Sequence, residues 1–243
     1  MRRALILAAG RGERMRPLTD TTPKPLLLVH GKPLIVWQLE RLATANIRYV
    51  VINTSYLAEQ FPATLGDGSR WGLRIRYSFE GPHPLETGGG LLRALPLIGG
   101  DEPFIAVSGD LYTDYDFAQL PCEPTGLAHL VLVPNPDWHA QGDFNLQADG
   151  RITPEPGQRL TFGNIGVYRP ELFSAGQRAT AIPLPVHSGP TAFKLAPLLR
   201  QACAQGLLDG EAFHGFWRNL GTPDQRNALE TELATNPGHP YPP

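Results

Sequence analysis

The sequence predicts an α/β protein: a mostly parallel central sheet flanked by helices, with a small mixed β part towards the C-terminus. Three observations predict it. Continuous apolar runs recur at "ALILAA" (Ala4 to Ala9), "YVVIN" (Tyr49 to Asn53), "FIAV" (Phe104 to Val107) and "HLVLV" (His129 to Val133), as expected of strands buried on both faces. Segments of helical periodicity lie between the runs, which is the βαβ pattern. A loop of glycine, arginine and lysine follows the first run directly.

In chain order, Pro33 starts a helix whose apolar face is Ile35, Leu39 and Leu42, with Gln38, Glu40 and Arg41 between them. A short helix around Leu57 to Leu65 follows the second run and ends near Gly66 and Gly68. "LRIRYSF" alternates in period two, and "ETGGGLLRALPLI" starts another helix. From about residue 135 the texture changes. "FNLQADGRI" carries the hairpin pair Asp149–Gly150, and "FGNIGVY" is a further strand. "SAGQRATAIPLPVHSGPT" is rich in small residues, Gly and Pro, and predicts a mobile loop. "AFKLAPLLRQAC" is helical, with Pro197 marking its start or a kink. In "TPDQRNALETEL", Thr222 is the N-cap, Pro223 the first turn and Gln225 the return arm of a capping box. The expected organisation is one domain over residues 1–234, with halves 1–134 and 135–220, a final helix 221–234, and a disordered tail 235–243.

Composition sets the outer limits. The chain has 243 residues, 42% of them apolar, and a net charge of −2, so any positive site is local rather than a nucleic-acid or membrane-binding surface. No apolar run approaches the roughly 18 residues of a membrane span, and the N-terminus is interrupted too soon for a signal peptide. Cys122 and Cys203 form no CxxC or disulfide framework, which predicts a reduced, cytoplasmic protein. The histidines show no HExxH or paired metal spacing. Trp37, Trp71 and Trp138 are expected in the core or at a rim rather than as base-stacking platforms.

The loop after the first run fits neither familiar phosphate motif. G-x-G-x-x-G fails because Met15 stands at the third glycine position; G-x-x-x-x-G-K-[ST] fails at Met15, and again at Pro33 after Gly31–Lys32. The chemistry nevertheless points to phosphate. Gly10 and Gly12 let backbone approach a ligand, consecutive N–H groups can form an anion nest, and Arg11, Arg14 and Arg16 add charge. Lys24 sits on backbone stiffened by Pro23 and Pro25.

"LAAGRGERMRPLT" followed by "PKPLL" resembles the signature of the sugar-1-phosphate nucleotidyltransferases. The resemblance continues at "PLETGGG", "SGDLYTDYDF", "LTFGNIGVYRP" and "AFKLAPLLRQA", across most of the chain. It implies a Rossmann-like, glycosyltransferase-A-like fold in which the small mixed β part binds sugar. It also implies transfer of a nucleotidyl group from a nucleoside triphosphate to a hexose 1-phosphate, with Mg²⁺ as cofactor. UTP and N-acetyl-α-D-muramate 1-phosphate are the leading substrates, in peptidoglycan recycling; GTP with mannose 1-phosphate is the second reading. A non-catalytic nucleotide-sugar sensor is the alternative of another class. Partners are the small-molecule substrates, with no nucleic acid and no membrane, for a monomer or small homo-oligomer.

The resemblance also implies roles. Leu7, Ala8, Ala9 and Gly10 lie under base and ribose, with Gly12 near the triphosphate. Arg14 holds the β and γ phosphates, and Lys24 bridges phosphates as charge grows; these two are the catalytic residues. Glu86, Thr87 and Gly88 form the turn beside the nucleobase. Asp110 is a metal ligand. Asn219, in "WRNLGT", stands where close relatives carry an aspartate, and is the second metal ligand through its amide oxygen. Gly142, Glu155, Asn164 and Lys194 are the sugar-phosphate residues, with Glu155 in "PEPG", where many relatives have E-K-P. Asp114 and Asp116 are turn residues.

Overall fold

The computed structural model describes residues 2–99, 101–173 and 191–235. The elements are β1 (Arg3–Leu7), β2 (Leu28–Val29), β3 (Lys32–Pro33), α1 (Leu34–Thr44), β4 (Tyr49–Thr54), α2 (Gln60–Leu65), β5 (Arg74–Phe79), α3 (Glu86–Ile98), β6 (Phe104–Ser108), β7 (Leu111–Thr113), β8 (Ala128–Val133), β9 (Phe144–Leu146), β10 (Arg151–Thr153), β11 (Gln158–Tyr168), α4 (Leu195–Ala204), β12 (Leu208–Ala212), β13 (Trp217–Asn219) and α5 (Pro223–Thr235).

Among the described residues one sheet runs β5-β4-β1-β6-β11-β8-β12-β10-β9. Its first part, β5-β4-β1-β6, is parallel throughout. Beyond β6 it is mixed: β11 enters antiparallel to both β6 and β8, and only β12–β8 is parallel again. The expectation of a mostly parallel sheet therefore holds for the N-terminal half, while β8 is separated from β6 by β11 instead of extending the parallel run. β11 pairs with β8 on both sides of a register shift between Phe162 and Gly166, with β6 only at its C-terminal end and with β9 only at its N-terminal end.

The two faces of the sheet are covered separately. Ala4 and Ile6 of β1 join one apolar cluster and Leu5 the other, as a strand's period of two requires. Ile35, Leu39 and Leu42 of α1 are fully buried in the first cluster. Leu91, Ala94 and Ile98 of α3 and Leu195, Leu198 and Leu199 of α4 fill the second. Helices on both faces leave the carboxyl ends of the parallel strands as the open edge.

Local signals behave as their chemistry dictates. Gly150 of the β9–β10 hairpin has φ +84°. Pro197 lies in the first turn of α4, where its missing N–H has no intrahelical partner to lose, so the helix starts near it, at Leu195, as expected. Gln225 Oε1 accepts from Gly221 N–H (2.7 Å) and Thr222 N–H (3.1 Å), and Gln225 N–H donates to Thr222 Oγ1 (3.3 Å), completing the capping box. The helix expected from Leu57 starts only at Gln60, because Leu57 is in the left-handed region. Trp37 is buried and donates to the Val29 carbonyl, Trp71 packs against the first cluster, and Trp138 is exposed. Asp114 and Asp116 accept from Phe216 N–H and Ala118 N–H, which makes them turn residues. Of the expected loop and tail, 174–190 and 236–243 lie outside the described residues; Thr235 closes α5.

Leu39→Ala should lower the unfolding free energy by about 2–5 kcal/mol in a urea titration, since the fully buried side chain leaves a cavity between α1 and the sheet. Arg48→Ala, which loses one exposed bond to the Ala43 carbonyl, should stay within about 0.5 kcal/mol of the parent. Similar values for the two would contradict the packing described.

Candidate active site

A cleft of about 830 Å³ opens over the carboxyl ends of β1, β4 and β6, the place where open α/β sheets bind ligands. Leu7, Ala8, Ala9, Gly10 and Gly12 line it from the loop after β1, Arg14 and Lys24 from the turns that follow, Glu86 and Thr87 from the start of α3, and Ser108 and Asp110 from the end of β6.

The loop is built tightly. Gly12 has φ +64°, and a Cβ there would lie 3.0 Å from Thr19 Cγ2 and 3.1 Å from Lys24 Cβ, so glycine lets the loop close on Lys24. The Gly12 carbonyl accepts from Met15 N–H and Thr19 Oγ1, both at 2.8 Å. Lys24 Nζ pairs with Asp110 Oδ2, and both side chains are 16% exposed. Ser108 Oγ donates to Asp110 Oδ1 at 2.5 Å. Both oxygens of the expected metal ligand are thus engaged by the protein.

The C-terminal part reaches the same cleft through backbone. Leu220 N–H donates to the Asp110 carbonyl (3.0 Å), which brings Gly221 into the wall. A Cβ on Gly221 would lie 3.1 Å from Arg14 Nη2, so the guanidinium rests against the bare glycine. Arg11 lies over the Tyr56 ring, and Arg16 pairs with Asp20 away from the cleft.

A second cavity of about 290 Å³ adjoins the first at Thr87, which lines both. Asn164, Trp138, His139, Arg200, Trp217 and Asn219 are among its walls. Asn164 has φ +56° and sits within the β11 register shift, which turns it out of the ladder. Trp138 and Trp217 stack at 6.5 Å between centroids.

Several expected residues sit elsewhere. Gly88 is buried beneath the cleft, where its N–H donates to the Phe193 carbonyl (2.9 Å) and a Cβ would fall 2.5 Å from Phe193 Cδ2. Glu155 is exposed on the β10–β11 turn and lines neither cavity. Gly142 lines neither cavity; its φ of +61° and a Cβ position 2.6 Å from Asn135 Oδ1 make it a turn glycine. Lys194 lines the larger cleft rather than the smaller cavity.

Sequence reasoning missed Asn53 and Glu80, which both line the cleft although they are 2% and 7% exposed. The available signal was an Asn and a Glu ending the second run and the period-two strand. Burial pushes the Glu80 carboxyl above the usual range, opposed by the Leu85 N–H, the Asn53 amide and the Arg93 charge.

Asp110 and Asn219 both offer the hard oxygens that suit a divalent cation, Asp110 on the larger cleft and Asn219 on the smaller cavity. Asn219 Oδ1 is buried without a hydrogen-bond partner among the described residues, an acceptor left available, and Asp110 lies across the Leu220 bond. No group of three or more His, Cys, Asp or Glu is arranged for a metal among the described residues, so a cation bound here would take its remaining oxygens from ligand and water.

A family model described as Nucleotidyl transferase matches residues 3–123. An N-acetylmuramate alpha-1-phosphate uridylyltransferase of Neisseria meningitidis is 48% identical over 227 residues, spanning 90% of this chain and 93% of that protein. The chain belongs to the sugar-1-phosphate nucleotidyltransferases. A mannose-1-phosphate guanylyltransferase of Mycobacterium tuberculosis is 42% identical, but over only 48% of this chain and 32% of that protein. A crystal structure assigned as a glucose-1-phosphate thymidylyltransferase of Bacillus anthracis, in complex with sucrose, superposes with a TM-score of 0.77 over 96% of this chain and 95% of that one at 20% identity, which establishes the shared fold. As a member of this family the chain is a nucleotidyltransferase, and the family match over 3–123 covers the parallel half of the sheet and most of the larger cleft.

Gly221→Ala should lower the melting temperature only slightly, because a Cβ there meets the far ends of two side chains, Arg14 Nη2 at 3.1 Å and Gln225 Oε1 at 3.3 Å. It should lower nucleotidyl-transfer turnover by roughly 10- to 100-fold, because one of those ends is the Arg14 guanidinium and small misplacements of a positioning group are costly. Full turnover in the variant would show that Arg14 does not work from where it rests.

Proposed function

We propose that this chain transfers the uridylyl group of UTP to N-acetyl-α-D-muramate 1-phosphate, releasing pyrophosphate, as a cytoplasmic step of peptidoglycan recycling. The full-length likeness to a relative of that name supports it, since the guanylyltransferase likeness stops at half the chain. The observation that carries the reading is the pair of cavities meeting at Thr87. The larger is lined by Arg11, Arg14 and Lys24, suited to a triphosphate, and the smaller by aromatic walls and the Arg200 guanidinium, suited to a hexose bearing a carboxylate. On this reading residues 1–134 hold the nucleotide and 135–220 most of the sugar phosphate.

In the reaction an oxygen of the sugar phosphate forms a bond to the α-phosphorus. The bond from that phosphorus to the bridging oxygen breaks, and pyrophosphate leaves with the electron pair. Both reactants are anions, so the chain's work is positioning and charge neutralisation. Leu7 to Gly10, with Glu86 and Thr87, enclose the base and ribose. Arg14 holds the leaving pyrophosphate, and Lys24, once it exchanges Asp110 for phosphate, spans the reacting groups. Asn164 holds the hexose, and Lys194 meets the sugar phosphate from the edge of the nucleotide cleft. Mg²⁺, held by Asp110 and Asn219, supplies further neutralisation at the phosphates when bound.

Pyrophosphate release measured over UTP, GTP, dTTP and CTP with a panel of sugar 1-phosphates should favour UTP with N-acetylmuramate 1-phosphate by at least about tenfold in kcat/KM, or roughly 1.4 kcal/mol. GTP with mannose 1-phosphate doing as well would overturn the substrate reading, and no release with any pair would favour a nucleotide-sugar sensor. Lys24→Ala should lower kcat by about 10²–10³ with a smaller effect on nucleotide KM. Asn219→Asp should stay active and need less Mg²⁺ for half-maximal rate, since a carboxylate attracts the cation more strongly; an unchanged Mg²⁺ profile in Asn219→Ala would remove Asn219 from the metal site.

A further inference from the structure

Four groups at the floor of the larger cleft form a relay in which every hydrogen bond has a fixed direction. Ala8 N–H donates to Asn53 Oδ1 at 2.5 Å. Asn53 Nδ2 donates to Glu80 Oε1 at 2.6 Å. Leu85 N–H donates to Glu80 Oε2 at 2.7 Å. The backbone donor at Ala8 fixes the Asn53 amide, because only its oxygen can face an N–H, and the NH₂ group must then face Glu80. Glu80 in turn has donors on both oxygens, which is the arrangement an ionised carboxylate accepts.

The relay joins two walls of the cleft that are distant in sequence. Ala8 begins the glycine loop, and Leu85 precedes the turn that presents Glu86 and Thr87. The third glycine of "ETGGG" makes room for it: a Cβ on Gly90 would lie 2.6 Å from Asn53 Nδ2 and closer still to Glu80 Oε1. Gly88 and Gly89 have other work, since both N–H groups bond the Phe193 carbonyl.

We propose that Asn53 and Glu80 are positioning residues for nucleotide binding, holding the loop after β1 and the turn before α3 at the separation that accepts the base end of the nucleotide. This rests on the reading that the larger cleft takes the nucleoside triphosphate.

The fixed directions allow a reversal test. Glu80→Gln places an NH₂ against either the Asn53 NH₂ or the Leu85 N–H. Asn53→Asp places one carboxylate against another. In the double variant the relay is complementary again with its polarity reversed: the new carboxylate accepts from Ala8 N–H and from the new amide's NH₂, whose oxygen accepts from Leu85 N–H. Each single variant should weaken nucleotide binding by about tenfold or more, the usual scale for a buried mismatched polar group, and leave the KM for sugar phosphate unchanged. The double variant should recover to within about threefold of the parent. Gly90→Ala should match the single variants.

Nucleotide Kd is measured by titration calorimetry with whichever of UTP, GTP, dTTP and CTP the parent binds most tightly, alongside turnover and melting temperature. A parent that fails to use UTP then sinks the substrate reading alone. A double variant no better than the poorer single variant, or singles in which both substrates weaken equally, sinks the relay. If the single variants do not fold, folding and binding by the double variant still counts as rescue, and its failure to fold overturns the proposal.

Discussion

Lys24 and Asp110 neutralise each other across the mouth of the parallel strands, and the rest of the site depends on that pair. Each is suited to a different ligand charge: a cation for the carboxylate, a phosphate for the ammonium. Neither is fully available while they hold each other at 16% exposure, where solvent screens the attraction only in part. A phosphate that takes Lys24 leaves Asp110 uncompensated, and a cation that takes Asp110 leaves Lys24 uncompensated. Either exchange alone costs what removing one partner of a desolvated pair costs, whereas an anion and a cation arriving together replace both partnerships. On the proposed reading, a cation-bound phosphate would therefore meet less opposition here than either ion separately.

Everything that shapes the cleft converges on that pair. β1 and β6 are adjacent and parallel, so the glycine loop and Asp110 leave the sheet at the same edge. Gly12 has no Cβ to hold Lys24 off. The Asp110 carbonyl takes the Leu220 N–H, which ties the β13–α5 turn to the same point and carries Gly221 under Arg14. The capping box of α5 is thus more than a helix start. Gln225 holds the N–H groups of Gly221 and Thr222, and Gly221 is the surface on which an arginine of the first loop rests.

The parallel half of the fold was legible because its strands are buried on both faces and announce themselves as apolar runs: β1, β4 and β6 all fall where the sequence predicts them. The glycine loop was legible because its motif is local, and its residues share one cleft. The mixed half was not. β12, "LDGEA", carries four residues that disfavour strands and exists because β8 and β10 flank it. β7 and β13 are three residues each and exist only as each other's partner. The residues assigned to the sugar side by position alone scatter over the structure. Asn164 faces a cavity because a register shift turns it there, while Glu155 and Gly142 fall on turns outside it, and no local pattern distinguishes these cases. Asn53 and Glu80 escaped notice because each is an ordinary strand-end residue in sequence, and their meaning lies in a contact across 27 positions.

The amide at position 219 follows from the same electrostatics. Buried polar atoms are almost always hydrogen-bonded, and Asn219 Oδ1 is an exception among the described residues. Leaving an amide oxygen unpaired costs far less than leaving a carboxylate unpaired in the same place. Arg218, the neighbour in sequence, is paired with Glu232, and Arg200 shares the wall of the smaller cavity with Asn219. An aspartate at 219 would bring a charge that has to be desolvated, whereas asparagine offers a hard oxygen with no net charge to desolvate. On the proposed reading, in which Asn219 ligates the cation, the amide places more of the cation's attraction on Asp110 and on the phosphates themselves.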